Sequence, residues 1–184
     1  MSGLYPYRDT RPSVDPTAFI GPGARVVGDV TLGAGTSVWF NAVIRADSAS
    51  IVIGAGTNIQ DCAVLHTDPG VPCEVGERCT VGHGAIVHAC RIGRGSLIGM
   101  GAVVLTRAVI GDESLVAAGA LVPEGREFPA RSLLIGAPAR VARTLSDEDI
   151  ARLIIAGLGN YRRYVDGYRE AGLGQSSTKV SQDR

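Results

Sequence analysis

The sequence lacks an apolar run of about 18 residues, the length that a membrane-spanning helix needs, and it has no basic and apolar leader. Its formal net charge is +0 at pH 7, which gives no general attraction to nucleic acid or acidic membranes. Its 4 cysteines form no C-x-x-C pair, so we expect reduced thiols rather than a disulfide framework. These absences predict a cytoplasmic protein without a nucleic-acid or membrane partner.

Aromatic residues are also scarce, at 5%, whereas 25 of the 184 residues are glycine. This composition disfavours a core of large side chains and predicts many tight corners. An aliphatic residue recurs about every six positions, the position after it is often glycine, and the fifth position is mostly small. The units begin at Ile20, Val26, Leu32, Val38, Ile44, Ile53, Ile59, Leu65, Val75, Val81, Val87, Ile92, Ile98, Val104, Ile110, Val116 and Val122.

This hexapeptide repeat predicts a parallel β-helix, in which three short strands make one triangular coil and the aliphatic residues stack inside. Coils lie about 4.8 Å apart, and we expect about six of them. The handedness is taken from hexapeptide-repeat proteins that this chain resembles, which are left-handed. The predicted fold class is therefore an all-β left-handed parallel β-helix with a C-terminal α-helix.

The expected organisation of the chain has four parts. They are an extended lead-in over residues 1–16, the β-helix over 17–141, a helix over 146–170 that packs on the prism, and a disordered tail over 171–184. Ser146 is expected to cap the helix with Asp149 as its capping-box partner. Gly157 and Gly159 weaken this helix, so we expect close packing or a kink there.

The histidines of the sequence, 3 in all, lie between residues 66 and 88: His66, His83 and His88. Three neutral imidazoles with an open fourth position are one ligand set of a catalytic zinc site. Fe²⁺ or Co²⁺ would also suit an all-imidazole site. The alternative is three unrelated histidines in a loop or a core.

The repeat assigns each histidine to a wall of the prism. His66 and His88 fall in one outward column on adjacent coils, and Arg45 stands one coil before them. His83 falls on the preceding wall, next to the outward position of Gly82, and cannot easily turn the corner. A threefold assembly would bring it against the next chain, so we expect a homotrimer with metal sites shared between subunits.

Further motifs surround the histidines. They are R-A-D at residues 45–47, T-N-I-Q-D at 57–61, V-G-H-G-A-I-V-H at 81–88 and I-G-A-P-A-R at 135–140. With these motifs, the chain resembles the gamma-class carbonic anhydrases over about residues 10–170. The resemblance implies a zinc-dependent lyase that hydrates CO₂ to bicarbonate, with histidines of two subunits at each trimer interface.

The other candidate site residues come from these motifs and from the helix: Gln60, Asn58, Arg45, Asp47, Asp61 and Tyr164. The Gln60 amide can donate and accept, so it is expected to bind the metal's hydroxide or the substrate, supported by Asn58. Arg45 is expected to pair with one of the two aspartates at the subunit interface, more as a scaffold than as a catalytic group. The tyrosine would reach the pocket rim, unless it is only a half-buried helix residue.

Proton export is where the chain departs from the family pattern, which has a glutamate after R-x-D and a long acidic loop after the first histidine. Here Ser48 follows Asp47. Steps longer than six residues predict two small extruded loops, at residues 46–51 and 67–74, beside the histidines. Because no obvious shuttle is present, we expect metal binding with weak, buffer-dependent hydration.

Two other functions remain open. A hexapeptide-repeat acyltransferase would use acyl-CoA and a histidine as general base between subunits, which leaves the other histidines unexplained. A non-catalytic trimeric scaffold would need none of them. Metal content separates the first function from these two, since only the carbonic anhydrase reading requires a metal.

Overall fold

The computed structural model describes residues 3–174, which form a series of short strands followed by a helix. The strands are β1 (Leu4–Tyr5), β2 (Ser13–Val14), β3 (Phe19–Ile20), β4 (Arg25–Leu32), β5 (Ser37–Val38), β6 (Val43–Ile53), β7 (Asn58–Ile59), β8 (Val64–His66), β9 (Cys73–Val75), β10 (Thr80–Val81), β11 (Ile86–His88), β12 (Arg91–Ile92), β13 (Leu97–Ile98), β14 (Val103–Val104), β15 (Val109–Ile110), β16 (Leu115–Val116), β17 (Leu121–Val122), β18 (Glu127–Phe128), β19 (Ser132–Gly136) and β20 (Ala139–Thr144). The helix has three parts: α1 (Asp147–Asp149), a π-helical segment (Ile150–Ile155) and α2 (Ala156–Glu170).

The strands stack in parallel into three walls. The pair wall contains the first half of β6 with β8, β11, β14 and β17, and the second wall contains the rest of β6 with β9, β12, β15 and β18. The helix wall contains β3, β5, β7, β10, β13, β16 and β19, and its 8-stranded sheet is closed by the antiparallel β20. The predicted parallel β-helix is confirmed, with about seven coils instead of about six.

The core is the column of aliphatic side chains inside the prism. On the pair wall, Ile44, Leu65, Val87 and Val104 lie opposite one another and are fully buried. Each coil buries its aliphatic residues against the coils on either side, which is why a residue repeated every six positions specifies the fold. The cysteines are free thiols, as predicted.

The expected loop at residues 46–51 is wrong, because these residues continue β6. The neighbouring β4 pairs with Ala46 and Ile51 at the two ends of this stretch. Only Asp29 lies between the paired Gly28 and Val30, so the extra residues form a bulge in β6. Gly28 has a φ of 78°, and a side chain there would meet the Ala46 carbonyl oxygen. A bulge therefore replaces the loop, since glycine tolerates both the conformation and the close approach.

The remaining irregular segments lie near the ends of the prism and after β8. β1 and β2, within the expected lead-in, both pair in parallel with β4. The expected second loop is a tight turn after β8, held by an antiparallel bridge between Asp68 and Val71. The expected disordered tail lies, from residue 175 on, outside the described residues.

The C-terminal helix begins as predicted and packs on the helix wall. Ser146 is its N-cap, and the capping box with Asp149 is present. Ile150 and Ile154 are buried against outward-facing leucines of the wall, and Val165 is buried in an aromatic cluster with Phe19 and Trp39. None of the helices within residues 3–174 combines the length and the apolar character that crossing a membrane requires.

The expectation of close packing at the helix glycines is wrong. A side chain at Gly157 or Gly159 would meet nothing within 4 Å. The irregularity lies one turn earlier, where the Ala156 N–H donates to the Ala151 carbonyl, five residues back. That wider turn is the π-helical segment.

Candidate metal centre

The pair wall brings His66 and His88 side by side. β8 and β11 pair in parallel with His66 opposite His88. β6 pairs with β8 so that Arg45 is opposite His66. The register predicted from the hexapeptide count is therefore confirmed on this wall, in spite of the irregular steps between its units.

The two imidazoles face each other through one nitrogen each. His66 Nδ1 lies 3.1 Å from His88 Nε2, and the ring centroids are 5.1 Å apart. Two nitrogens on one tetrahedral zinc lie about 3.3 Å apart, given Zn–N bonds of about 2.0–2.1 Å. The spacing of this pair therefore already matches two ligands of one metal ion.

Asp47 fixes the other nitrogen of His66. His66 Nε2 donates to Asp47 Oδ1 at 3.0 Å, and Arg45 donates to the second oxygen of the same carboxylate. Burial raises the pKa of Asp47, but the hydrogen bonds from His66 and Arg45 outweigh it and hold that pKa below its ordinary value. The carboxylate therefore stays ionised and keeps the His66 proton on Nε2, as carboxylates behind metal-bound histidines commonly do.

Thr106 holds the other nitrogen of His88. His88 Nδ1 lies 3.1 Å from Thr106 Oγ1, and that hydroxyl donates to Asp68 Oδ2 at 2.7 Å. The hydroxyl has one hydrogen, which it donates to the Asp68 carboxylate. The hydroxyl oxygen therefore accepts a hydrogen bond from the Nδ1–H of His88. His88 therefore presents an unprotonated Nε2 toward His66.

These contacts leave two lone pairs facing each other. His66 Nδ1 and His88 Nε2 are both acceptors when each ring is neutral, because each ring proton is engaged on the opposite side. At 3.1 Å this arrangement needs either an additional proton on one ring or a cation in contact with both nitrogens. The donor set therefore fits a divalent metal ion, for which neutral imidazole is a common ligand.

His83 stands apart, at the corner that follows β10 on the helix wall. Its Nδ1 lies 2.8 Å from Asp61 Oδ2, and its Nε2 lies 3.1 Å from the Tyr161 hydroxyl. Burial, and then the charge of Asp61, raise the pKa of Tyr161, so the phenol stays protonated and can donate to Nε2. Asp61 in turn accepts a hydrogen bond from Nδ1–H, so the unprotonated nitrogen of this ring is Nε2.

Within residues 3–174, no three histidine, cysteine or acidic side chains converge as a metal-binding group. His66 and His88 are together, whereas His83 is bound to partners on a different wall. One chain therefore offers two converging imidazoles and a third that points elsewhere.

Gln60 and Asn58 form a buried amide pair beneath His83. Gln60 Nε2 donates to Asn58 Oδ1 at 3.1 Å, and Gln60 Oε1 accepts the backbone N–H of His83 at 3.2 Å. Asn58 donates to Thr80 Oγ1 at 2.8 Å, which fixes which end of its amide faces Gln60. The two amides thus connect the strands β7 and β10 to the turn that carries His83.

The other predicted residues separate into different contacts. Arg45 pairs with Asp47 inside one chain, whereas Asp61 pairs with His83 rather than with the arginine. Tyr164 is 53% exposed, and its ring packs edge-on against the Tyr161 ring, with centroids 5.7 Å apart. The helix tyrosine that reaches a histidine is therefore Tyr161.

Sequence reasoning missed two contacts to the histidines. One is the contact of the Tyr161 hydroxyl with His83, which has no local sequence signal. Thr106 lies just beyond the position opposite His88 on the next coil, since Val87 pairs with Val104. The wall count therefore reaches Leu105 on that coil and not the threonine.

Comparison with known proteins points to hexapeptide-repeat families. The family model for the bacterial transferase hexapeptide (six repeats) matches residues 89–124. A carbonic anhydrase of Geobacillus kaustophilus is 43% identical over 82% of this chain and 82% of its own length. The gamma carbonic anhydrase 1, mitochondrial, of Arabidopsis thaliana is 40% identical over 78% of this chain, which spans 54% of that relative. The chain thus spans about half the length of the plant relatives it matches.

Transferase names occur among the similar solved structures. A hexapeptide transferase family protein of Anaplasma phagocytophilum has 41% identity and a TM-score of 0.85, covering 90% of this chain and 97% of its own. The chain is therefore similar both to proteins named carbonic anhydrases and to a protein named a hexapeptide transferase.

Proposed function

The chain belongs to the gamma carbonic anhydrase-like family of hexapeptide-repeat proteins, and on that premise we propose that it is a metal-dependent enzyme that hydrates CO₂ to bicarbonate. The observation that carries the proposal is the pair of facing lone pairs on His66 and His88. Zn²⁺ is the metal we propose, and Fe²⁺ or Co²⁺ would suit the same ligands.

We propose that the site is completed between subunits of a homotrimer. Beside the two histidines, Val43, Val64, Ile86 and Val103 lie in register as an outward apolar ladder on the pair wall. Val64 and Ile86 are 36% and 40% exposed. Elsewhere on the prism, Met100 is 59% exposed one coil beyond His83. Burying this side chain of one subunit against the apolar ladder of the next would stabilise an assembly.

Such an assembly would bring His83 of one subunit to the His66–His88 pair of the next, which gives three imidazoles and an open position. A divalent metal in this setting supplies an acidified water at neutral pH, the chemistry that CO₂ hydration requires. To bind it, His83 would exchange its hydrogen bond with Tyr161 for the metal, while Asp61 keeps the ring oriented.

Gln60 is the residue we assign to the substrate. After donating to Asn58 and accepting from the His83 N–H, its amide retains one hydrogen and one lone pair. Asn58 holds it in place, and the Arg45–Asp47 pair orients His66. Tyr164 would line the rim of the site from α2.

A hexapeptide acyltransferase is the second candidate, and one observation favours it. His83 Nδ1 is bound by Asp61, an arrangement that also suits a general base. This function would use His83 but would leave the facing nitrogens of His66 and His88 without a purpose.

The deciding experiment is the metal content of the purified protein, followed by CO₂ hydration with Zn²⁺ or Fe²⁺ added. We expect about one metal ion per chain and a weak hydration rate that rises with buffer concentration, since Ser48 supplies no shuttle. Absence of metal together with acyl-CoA binding would favour the acyltransferase instead. A high rate that is insensitive to buffer would contradict the expectation of slow proton export.

A further inference from the structure

The hydroxyl of Thr106 lies between a metal-ligand candidate and a carboxylate. It donates to Asp68 Oδ2 at 2.7 Å, and its oxygen lies 3.1 Å from His88 Nδ1. Asp68 itself is 3.8 Å from the same ring nitrogen, which is too long for a direct hydrogen bond. Any hydrogen-bonded link from the carboxylate to His88 therefore passes through the hydroxyl.

The direction of these hydrogen bonds is set at the carboxylate end. An ionised carboxyl group can only accept, so the single hydroxyl hydrogen of Thr106 is committed to Asp68. The hydroxyl oxygen is then an acceptor for His88 Nδ1–H, which keeps the ring proton away from Nε2. Nε2 is the atom that faces His66 at 3.1 Å.

We propose that Thr106, polarised by Asp68, is the positioning residue that fixes the tautomer and ring orientation of His88. This inference rests on the proposed metal function for its purpose, but the tautomer is a property of the metal-free protein. Without the hydroxyl, the imidazole proton is free to occupy Nε2, where it blocks the nitrogen that a metal needs.

The arrangement differs from that of His66, whose Nε2 donates directly to Asp47. His88 depends instead on a carboxylate in the turn after β8 and on a hydroxyl in the turn after β14. The two ligands of one pair are thus oriented by different elements. Substitution of Thr106 should affect His88 and leave the tautomer of His66 unchanged.

The test compares Thr106→Val, which keeps the shape and removes the hydroxyl, with Thr106→Ser, which keeps the hydroxyl. The ¹⁵N chemical shifts of the imidazoles report the tautomers in the metal-free protein, and competition with a chelator reports Zn²⁺ affinity. We expect Thr106→Val to lose the Nδ1–H preference of His88 and to weaken Zn²⁺ binding about 10- to 100-fold. Thr106→Ser should keep the wild-type tautomer and affinity.

Asp68→Ala, in the exposed turn, is the second variant and serves if Thr106→Val does not fold. In this variant the Thr106 hydroxyl no longer donates to residue 68 and can donate to His88 Nδ1 instead. The ring proton of His88 should therefore shift toward Nε2, and Zn²⁺ affinity should fall. A wild-type tautomer and affinity in Thr106→Val, or in Asp68→Ala if Thr106→Val does not fold, would overturn the inference. A wild-type protein with the expected His88 tautomer but no Zn²⁺ binding would instead overturn the metal function.

Discussion

The pair wall and the helix wall divide the candidate site unequally. On the pair wall, His66 and His88 direct unprotonated nitrogens at each other and are balanced only by an added proton or a cation. On the helix wall, His83 is balanced within its own chain, because Asp61 accepts from one nitrogen and Tyr161 can donate to the other. One wall therefore requires an added proton or a cation, whereas the other is satisfied without either.

The two walls also differ in what covers them. The helix wall lies under the C-terminal helix, which buries Ile150 and Ile154 against it. The pair wall leaves Val64 and Ile86 partly exposed beside its histidines. The wall with the unbalanced nitrogens thus leaves apolar side chains exposed beside the histidines, which supports the proposed shared site.

The largest expected effect is the recovery of metal binding when two inactive variants, each with a histidine removed from a different wall, are mixed. His66→Ala and His83→Ala should each bind little metal, since each lacks one of three ligands. When the two variants are dissociated, mixed in equal amounts and reassembled, random assortment in a shared-site trimer leaves about one quarter of the sites intact. The metal content of the whole reassembled mixture measures the recovery.

The matched control places both defects on the pair wall. A mixture of His66→Ala with His88→Ala should recover no metal, because every chain then contributes a broken pair. If verified mixed trimers of His66→Ala with His83→Ala also recover none, sites shared between the walls of two subunits are excluded.

A moderate effect is expected at Gly82, which precedes His83 on the helix wall. A side chain there would lie 2.8 Å from the Ile98 carbonyl oxygen and from the Met100 nitrogen, and these backbone atoms cannot move aside easily. Gly82→Ala should therefore lower the free energy of unfolding by about 1–3 kcal/mol, measured by urea denaturation of the metal-free protein.

Gly159→Ala provides the control in the helix, where an added Cβ meets nothing within 4 Å. It should raise the free energy of unfolding by about 1 kcal/mol, the difference in helix propensity. Equal stability of Gly82→Ala and the wild type would mean that the turn carrying His83 is less tightly held than the structure indicates.

The smallest effect is expected at Tyr161, which occupies the nitrogen of His83 that a metal would need. Tyr161→Phe removes that competing hydrogen bond, so Zn²⁺ affinity should rise about two- to tenfold, the equivalent of one neutral hydrogen bond. Tyr164→Phe, one residue of the same ring cluster, should leave the affinity unchanged in the same chelator competition. Weaker binding in Tyr161→Phe would show that the hydroxyl holds His83 in its binding position.

The sequence was sufficient to predict the walls, because buried aliphatic residues fix the register. A slip of one residue would turn Leu65 and Val87 out of the core, so the pairing of His66 with His88 follows from the repeat. The extra coil could not be counted in this way. β1 and β2 lie outside the hexapeptide pattern, and β18 uses Phe128 where the pattern has a branched aliphatic residue.

Side-chain partners were harder to predict than positions. The assignment of Arg45 to Asp47, and of Asp61 to His83, depends on which side chains share a corner, which the repeat does not specify. A helical pattern likewise places Tyr161 and Tyr164 on the helix without giving their distance from the wall. The π-helical segment before them adds a residue to one turn, which a regular period of 3.6 cannot anticipate.

The bulge in β6 and the turn after β8 have a consequence for how such a chain can vary. Both absorb residues in excess of the six-residue unit, and the strands on either side still pair in register. Insertions or deletions at these two points that spare Asp47 and Asp68 can therefore be inherited while His66 stays opposite His88 in the register. Variation in length at these points can change the access of solvent and buffer to the site while the pairing of β8 with β11 persists.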